Sequence, residues 1–454
     1  MRLRTQLRRF FSAILAGSCL LTAMPVLSAA AETVPEEAVG SVTSGGKTMY
    51  FYDTPGSGGL EAMWVEAVRQ KNATVTLYQD WKAVTGTRMG TADSGFVNDG
   101  VICVPLGCEI TIDLNGYNID RTLVTAIPDG EVIFVQSGAT LNLTDTKSAS
   151  GRSGKVTGGN TAGDAGGIFV EGGGTFNMWG GSVSGNTAAG AGGGVFLGDQ
   201  STFYMTGGTV SDNRASESGG GMAAVNSSIR VVSGQFTKNS AGLNGGGMYL
   251  QGGATELNAC SVEANTAGCG GGICTSTEAA LSLKNGASVT KNIASSSETQ
   301  SAGGGILAMS YRAIRVSGTV DVTSNRLSNG VTSDLSFWLD SENPYNGPRI
   351  EDDGVSSSTR IGVSFTSGKG REMVFAANMD SSIFTPATEG FEIKEKDGIL
   401  SLRRPFQMPD TSVLIWIAVG LLVVIVALIC ILTIARSRKK KRRRRKSAKH
   451  KKQA

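Results

Sequence analysis

Short segments that alternate apolar and polar residues recur through the middle of the chain. Phe176 and Met178 flank Asn177, and the same arrangement is repeated around Tyr204 and Arg230. Alternation with a period of two is typical of a strand that buries one face and exposes the other to solvent. No helix-forming stretch separates these segments. The pattern therefore predicts an all-β architecture in which Tyr204 and Arg230 lie on the exposed face.

Two further markers show that these segments belong to a repeat. An apolar residue recurs three positions before an asparagine, and the asparagines follow each other at intervals of 27, 26, 26, 27 and 33 residues. They are Asn186, Asn213, Asn239, Asn265, Asn292 and Asn325. A glycine cluster with an apolar residue recurs in phase with them, from residues 166–168 to residues 303–306. Each unit predicts three short strands: one after the glycines, one in the middle and one that ends at the asparagine.

A repeat of about 26 residues is too small to cover its own apolar side, but it can wind into one coil of a solenoid. Successive coils then pair parallel strands about 4.8 Å apart, and equivalent residues lie above one another. The six asparagines are expected to form an internal ladder of amide hydrogen bonds at one corner, because asparagine tolerates a left-handed backbone. The glycine clusters are expected at another corner, where only glycine has the necessary conformational freedom.

The ends of such a stack need caps, because each end exposes apolar strands and unpaired edges. Residues 59–71 predict an amphipathic helix with one apolar stripe. The stripe consists of Leu60, Met63, Trp64, Ala67 and Val68. We assign residues 32–74 to this N-terminal cap and residues 75–335 to the coils. Residues 336–405 lose the period but keep strand-like pieces, so they predict a small β-rich C-terminal region.

The first 31 residues have the layout of a secretory signal peptide. Four arginines precede an apolar stretch, and small residues follow it from Ser28 to Ala31. A signal peptide is removed after it has directed the following chain across a membrane. An uncleaved first membrane helix is the alternative interpretation of residues 1–31.

A second apolar stretch predicts a transmembrane helix at residues 413–435. No charged residue occurs between Thr411 and Ala435, and about 22 helical residues span about 33 Å, enough for the hydrocarbon core of a bilayer. The tail 436–454 holds thirteen basic residues, and such a block stays on the cytoplasmic side in contact with anionic lipid. We therefore expect a single-pass protein of the cell membrane, with its N-terminal ectodomain outside and membrane lipid as a partner.

The segment 406–412 is a linker that carries a candidate sorting motif. Residues 408–412 read Met-Pro-Asp-Thr-Ser and resemble the LPxTG signal that sortases cleave for attachment to a cell wall. Methionine stands in place of leucine, serine stands in place of glycine, and the basic tail is longer than such signals usually carry. A retained membrane anchor and attachment to a cell wall are both open interpretations.

Together the repeats resemble a known group of surface proteins. The glycine clusters and the Phe/Val-x-x-Asn elements are similar to the repeats of polymorphic outer-membrane proteins. Residues 110–117 and 141–145 resemble the first coils of bacterial surface proteins with this fold. The chain thus looks like a right-handed parallel β-helix of the pectate-lyase-like superfamily over residues 75–335. The resemblance implies the fold but little about activity, because this fold serves many functions.

The charge distribution limits the functions of the folded body. Residues 32–435 hold 25 basic and 38 acidic residues, a net charge of −13, although the whole chain carries +4. A negative body repels phosphate backbones, so no nucleic-acid partner is expected for the ectodomain. His450 is the one histidine and lies in the basic tail, which excludes imidazole chemistry in the folded part.

An enzyme and a binding protein are the two functional classes to weigh. Many β-helices cleave acidic polysaccharides, and lyases or hydrolases of this kind need clustered carboxylates. The exposed middle strand offers no such cluster, and Asp352 and Asp353 read as a solvated turn. No catalytic residue and no cofactor are therefore predicted. We expect binding at the cell surface, as in adhesion or contact with a glycan or host surface, with a polysaccharide-active surface enzyme as the alternative.

Aromatic residues supply the candidate binding surface. In the strand after the glycines, the central position holds Phe169, Phe196 and Tyr249 in three of the coils. If the aliphatic neighbours of these residues point inward, the three rings form part of an exposed ridge. Such a ridge can stack on sugars or contact a protein ligand. The alternative is that another segment covers the rings. The identity of the ligand and the oligomeric state stay open.

Five cysteines lie between the two apolar ends of the chain. Cys103 and Cys108 can close a small loop as a disulfide, and Cys269 and Cys274 are a second candidate pair. The odd number leaves at least one thiol free or paired between chains. A zinc site usually has closer cysteine spacing or histidines, so no metal site is predicted.

Overall fold

The computed structural model describes the chain apart from its N-terminus, its last residues and a set of short internal segments. The described residues are 33–54, 58–82, 96–97, 100–276, 278–295, 302–309, 312–338, 349–364, 372–387, 390–405 and 411–450. The predicted signal peptide, residues 1–31, lies outside them, as do residues 406–410 of the predicted linker and the last four residues of the tail.

The chain winds into a parallel β-helix whose coils have three walls, as the repeat predicted. The first wall contains the strands that follow the glycines, and its neighbours along the stack pair in parallel. Its strands are Val101–Val104, Ile133–Val135, Ile168–Val170, Val195–Leu197, Met222–Val225, Met248–Gln251, Ile273–Thr275, Ile306–Ala308 and Leu335–Phe337. A two-residue strand, Phe96–Val97, pairs antiparallel with the first of them.

The second wall contains the middle strands of the coils. They pair in parallel from one coil to the next. These strands are Asn72–Leu77, Glu109–Asp113, Thr140–Thr144, Thr175–Met178, Thr202–Met205, Ser228–Val231, Ala254–Asn258, Ala280–Lys284, Ile314–Gly318 and Ile350–Val355. Phe176 and Met178 are buried while Asn177 is half-buried, so the alternation follows the predicted period of two.

The third wall contains the strands that lead to the asparagines. They also pair in parallel along the stack. They are Trp81–Lys82, Ile119–Asp120, Lys155–Thr157, Ser182–Ser184, Thr209–Ser211, Gly234–Thr237, Cys260–Glu263, Ala287–Thr290, Val320–Thr323 and Arg360–Ser364. The last strand also pairs with Leu335–Phe337, so it joins the first and third walls.

A fourth ladder of two-residue strands was not predicted from the sequence. It lies in a loop that leaves each coil after the asparagine and returns at the glycine cluster. Its strands are Asn160–Thr161, Thr187–Ala188, Arg214–Ala215, Ser240–Ala241, Thr266–Ala267, Ile293–Ala294 and Arg326–Leu327. Two residues are too few for an alternating pattern to be recognised in the sequence.

Equivalent side chains stack inside the coils and form one core that runs along the stack. Phe176 and Phe203 have ring centroids 5.3 Å apart, and both rings are fully buried. Burial of a phenylalanine side chain contributes about 1.5–3 kcal/mol, so a column of such residues stabilises every contact between coils. The core continues from Val39 in the N-terminal cap to Leu402 near the end of the folded body.

The N-terminal cap combines the predicted helix with a hairpin that the sequence did not reveal. The helix Gly59–Gln70 buries the five residues of its predicted apolar stripe. Trp64 donates a hydrogen bond from its indole nitrogen to the carbonyl of Cys103, at 3.2 Å. The strands Ala38–Ser44 and Lys47–Tyr52 form an antiparallel hairpin, and Ala38–Ser44 pairs antiparallel with Asn72–Leu77. The hairpin therefore covers the open edge of the second wall.

The C-terminal region closes the other end of the stack. Parallel pairing continues past residue 335, through Ile350–Val355 and Arg360–Ser364 to Phe384–Pro386. The strand Glu372–Ala377 then pairs antiparallel with Ile399–Arg403, which pairs with Glu392–Lys396. This antiparallel hairpin ends the second wall, as the N-terminal hairpin begins it. Short 3-10 helices lie at Ser148–Ser150 and Ser381–Ile383.

A long helix, Thr411–His450, follows the folded body. Its segment Val419–Arg442 is long and apolar enough to cross a membrane and overlaps the predicted span 413–435. The apolar side chains from Val419 to Ile434 are exposed, which suits contact with lipid. The helix continues without a break into the basic residues of the tail.

Candidate binding site

The predicted asparagines form a continuous hydrogen-bonded ladder inside the stack. The side-chain nitrogen of each asparagine donates to the side-chain oxygen of the next, at 2.9–3.1 Å from Asn186 to Asn325. The same oxygen also accepts the backbone N–H of the preceding asparagine. Each side-chain nitrogen donates in addition to a carbonyl of the preceding coil. The amides are therefore structural groups, buried and fully used.

The reason given from the sequence for asparagine at this corner was wrong. The left-handed backbone lies at the residue before the asparagine, with φ of 55° at Asp212, 57° at Lys238 and 57° at Ala264. That residue turns the chain so that the following asparagine side chain projects into the interior. The asparagine is needed for its amide and not for its backbone freedom.

The glycine clusters do not form a corner remote from the asparagines. A β-carbon added to Gly194 would lie 2.7 Å from the side-chain nitrogen of Asn213 and 2.6 Å from the carbonyl oxygen of Gly221. The third glycine of the cluster is thus required because the backbone and the asparagine ladder approach so closely. The first glycine needs its conformational freedom, since φ is +71° at Gly192.

An aspartate ends the asparagine ladder. Asp334 accepts hydrogen bonds from the backbone nitrogen of Asn325, at 2.8 Å, and from its side-chain nitrogen, at 3.0 Å. Burial raises the pKa of the Asp334 carboxyl above its usual value, although the hydrogen bonds from Asn325 oppose this shift. The position is compatible with a structural end of the ladder and is closed to solvent.

The structure brings two of the three predicted aromatic residues together and adds a third. Phe134, Phe169 and Phe196 lie on consecutive coils of the first wall, with ring centroids 5.4 Å and 5.5 Å apart. All three are half-buried, while their neighbours in the strands are buried. We call these three residues the aromatic row. Phe134 was missed because it lies before the first glycine cluster.

Tyr249 is separate from the aromatic row. The register of the first wall places Ala223 between Phe196 and Tyr249, so one coil without an aromatic ring interrupts the line. Ala223 is buried, and so is Cys274 in the coil after Tyr249. Burial and the neighbouring Cys274 raise the pKa of the Tyr249 hydroxyl. The predicted ridge is therefore shorter than expected and begins one coil earlier.

The remaining predicted binding residues lie on a different wall. Tyr204 and Arg230 are neighbours in the register of the second wall. The Arg230 guanidinium lies 3.6 Å from the carboxylate of Glu256, which also pairs with Lys284 at 3.0 Å. Exposed pairs of this kind stabilise little, so this row of charges is a solvated surface and is not part of the site on the first wall.

A cavity of about 640 Å³ opens beside the aromatic row. It lies between the first wall and the loop that carries the fourth ladder. Its lining is formed by Pro128, Asp129, Glu131, Phe134, Thr161, Ala162, Gly163, Asp164 and Phe169. The lining thus combines two side chains of the aromatic row, Phe134 and Phe169, with three carboxyl groups. Cavities of roughly 300–1,000 Å³ with apolar walls and a few polar groups are typical of sites for small ligands.

Glu131 is a buried carboxyl group in the lining of the cavity. Its residue is only 6% exposed, and burial raises the pKa of the Glu131 carboxyl to about 7. The negative charge of Asp129 also raises the pKa of Glu131. A hydrogen bond from the backbone N–H of Glu131 and the positive charge of Arg121 lower it. A carboxyl group of this kind exchanges its proton near neutral pH and is therefore a functional candidate.

The position of Glu131 in the repeat explains why the cavity lies in this coil. Ile133 pairs with Ile168, so Glu131 takes the place that Gly166 has one coil later and that glycine keeps in the following coils. The short strand Asn160–Thr161 has only a single bridge to the coil before it, at Ile127. The cavity therefore lies where the glycine clusters and the fourth ladder begin. A carboxylate in a glycine position was the sequence signal for this site.

The cysteines do not form the predicted disulfide. Cys103 and Cys108 have free thiols, and Cys274 is free as well. The Cys108 side chain belongs to the hydrophobic core, and its thiol donates a hydrogen bond to the carbonyl oxygen of Val68, with 3.8 Å between sulfur and oxygen. Cys103 is buried but does not belong to this core. Burial raises the pKa of the Cys103 thiol to about 12. In the part of the chain that the structure describes, no three histidine, cysteine or acidic side chains are arranged so that they could hold a metal ion.

Comparison with known proteins does not assign the chain to a family. Neither a protein-family model, nor a curated protein, nor a solved structure matches the chain. The parallel β-helix is therefore established by the strand pairings alone.

Proposed function

We propose that this chain is a cell-surface β-helix protein that acts by contact with a glycan. The aromatic row and the adjoining cavity on the first wall form the proposed contact site. The single observation that supports this most directly is the row of Phe134, Phe169 and Phe196, which are half-buried on consecutive coils, with Phe134 and Phe169 lining the cavity.

The chemistry of the lining fits a sugar. The apolar face of a sugar ring packs against aromatic rings, and its hydroxyl groups donate hydrogen bonds to carboxylates. Phe134 and Phe169 supply the rings, and Asp129, Glu131 and Asp164 supply the carboxyl groups. The three rings are half-buried and lie outside the hydrophobic core, so part of each ring stays accessible to a ligand.

Replacing Phe169 and Phe196 with serine is expected to weaken glycan binding by at least about tenfold, because two stacking faces of about 0.5–1.5 kcal/mol each are lost together with their apolar area. Binding is measured by applying the full-length protein in detergent to a glycan array and titrating the best ligand. Tyr249→Ser is the matched control, because Ala223 separates Tyr249 from the aromatic row. This variant should bind the glycan as tightly as the unchanged protein does. Equal binding by the double variant would refute the proposed site.

A polysaccharide-active enzyme is the second candidate function, and Glu131 favours it. A carboxyl group with a pKa of about 7 has the proton affinity of a general acid, and Asp129 and Asp164 line the same cavity. The glycans that bind on the array are incubated with the protein and assayed for new reducing ends and for unsaturated products. Release of either product assigns the cavity to catalysis, and stable glycans assign it to binding.

We further propose that the protein is held in the cell membrane by its C-terminal helix, with the β-helix outside. The signal-like residues 1–31 and the basic tail 436–454 support this orientation, because basic residues stay on the cytoplasmic side. Tryptic peptides of the mature protein are expected to include the junction of the helix and the tail around Arg436. If the mature chain instead ends within residues 408–412, sortase attachment to a cell wall replaces the retained anchor.

A further inference from the structure

The cavity beside the aromatic row has the chemistry of a site for a positively charged sugar. We propose that it binds an amino sugar with a free ammonium group, as in a glucosamine residue, and not an acidic or an N-acetylated sugar. This inference rests on the proposed glycan-binding function and specifies its ligand. It is carried by three features of the lining: the sign of its charge, the state of Glu131 and the position of the aromatic rings.

The titratable groups in the lining are all acidic. Of the described residues that form the cavity, Asp129, Glu131 and Asp164 can carry charge, and each charge is negative. Arg121 is buried, donates a hydrogen bond to the carbonyl of Asp129 at 3.5 Å and opposes the raised pKa of Glu131, so it offsets part of the negative charge. The site therefore repels a uronic acid and attracts a cation. An ectodomain with a net negative charge adds to this preference.

Glu131 is an independent sign that a ligand belongs in the cavity. It is 6% exposed and lines the cavity, and within the described part of the chain the hydrogen bond to its carboxyl group comes from its own backbone N–H. A buried carboxyl group with so few donors is costly. A ligand ammonium group brings three N–H donors and a positive charge to this carboxyl group.

The other two carboxyl groups differ from Glu131 in their surroundings. Asp164 is exposed and accepts the backbone N–H of Ala191, at 2.6 Å, so its charge already has a partner. Asp129 is exposed as well, in the loop that precedes Glu131. Both carboxylates therefore set the local potential, and Glu131 is the group that we assign to direct contact with the ammonium group.

The aromatic row fixes the kind of cation. Phe134 and Phe169 line the cavity with rings whose centroids are 5.4 Å apart. Aromatic faces attract ammonium groups by about 0.5–1 kcal/mol at exposed sites and also pack against flat apolar surfaces. A sugar ring that carries an ammonium group uses both properties at once. A lysine side chain offers the charge but lacks the flat ring.

The test compares tetrasaccharides of equal length on the full-length protein in lipid nanodiscs by isothermal titration calorimetry. The probes are a glucosamine tetramer, an N-acetylglucosamine tetramer and a galacturonate tetramer, with a tetralysine peptide as a cation without a sugar ring. The measurements are made at pH 7, where tetralysine is fully charged and the glucosamine tetramer and the Glu131 carboxyl group are each partly charged. We expect the glucosamine tetramer to bind at least tenfold more tightly than each of the other probes.

Two charge variants locate the preference. Glu131→Gln keeps the size of the side chain and is expected to remove most of the preference for glucosamine. Glu217→Gln is the matched control, because Glu217 is an exposed acid in the loop two coils after the loop of Asp164 and lies outside the cavity. It should retain the preference in full. Because the comparison of probes is made on the unchanged protein, it stands even if Glu131→Gln fails to fold.

The outcomes separate this inference from the proposed function. If the N-acetylated or the galacturonate tetramer binds as tightly as the glucosamine tetramer, the preference for an amino sugar is refuted while glycan binding stands. If tetralysine binds most tightly, the ligand is a basic peptide and the sugar assignment is wrong. If none of the tetramers binds and the glycan array is also negative, the proposed function fails as well.

Discussion

Asn239→Ala is expected to lower the free energy of unfolding by about 3–5 kcal/mol, because each buried polar group that loses its partner costs about 1–3 kcal/mol. The Asn239 side chain accepts from the backbone and side-chain nitrogens of Asn213, both at 3.1 Å. It donates to the carbonyl of Val210, at 2.9 Å, and to the side chain of Asn265, at 3.0 Å. Its removal leaves unsatisfied groups on two neighbouring coils where water has no access.

The loss is measured by urea unfolding of the full-length protein in detergent, followed by far-ultraviolet circular dichroism. Asn177→Ala is the matched control. Asn177 is half-buried on the second wall and donates one side-chain hydrogen bond, to Asn142 at 2.8 Å. Its replacement should cost less than about 1 kcal/mol. If both variants lose similar amounts, the buried ladder does not contribute more than a surface amide does.

Gly221→Ala is expected to destabilise the protein by about 3 kcal/mol or more, because overpacking a site with no free volume forces the backbone to move. The new methyl group would lie 2.6 Å from the carbonyl oxygen of Gly247 and 2.9 Å from the side-chain nitrogen of Asn239. One of these atoms belongs to the backbone of the next coil and the other to the asparagine ladder. Neither can withdraw without breaking hydrogen bonds between coils.

The matching control is Gly163→Ala. At Gly163 the nearest atom to an added β-carbon is the hydroxyl oxygen of Thr161, at 3.8 Å, which is an ordinary contact. The melting temperatures of the two variants are compared by circular dichroism, together with the yield of folded protein. Gly163→Ala should unfold close to the unchanged protein, whereas Gly221→Ala should unfold well below it. A Gly221→Ala protein of normal stability would show that the coils can separate locally at little cost.

The walls of the coils were predictable from the sequence because their contacts join equivalent residues. Phe176 lies above Phe203, and Asn186 lies beside Asn213, so each contact repeats with the period of the chain. A repeated contact leaves a repeated residue type. The apolar stripe of the helix Gly59–Gln70 was predictable for a related reason, since the buried face of one helix has a period of its own.

The caps were only partly predictable. The hairpin of Ala38–Ser44 and Lys47–Tyr52 pairs antiparallel with Asn72–Leu77, and this partner becomes available only when the first coil has formed. Near the other end, the period is lost after residue 335 although parallel pairing continues into Arg360–Ser364. Coils of irregular length keep their strand pairing in space but lose the regular interval along the chain.

The candidate site depended still more on tertiary structure. Phe169 and Phe196 were found because they occupy the same position in the repeat, but Phe134 and Glu131 lie in a coil without a glycine cluster. The cavity arises from contacts between residues that are not equivalent, such as Phe134 on a wall and Asp164 in a loop. No period along the chain reports such a meeting.

The amino-acid sequence by itself thus determined the coil, its three walls, the aligned asparagines and the apolar C-terminal helix, because each follows from a local or repeated pattern. Tertiary structure alone decided that the third glycine of the clusters packs against the asparagine ladder. It also decided that the aromatic row ends at Phe196, before Ala223, and that the buried Glu131 lines the same cavity as Phe134. These features depend on how far apart different parts of one coil lie after the chain has closed. That distance is fixed by packing in three dimensions and not by spacing along the sequence.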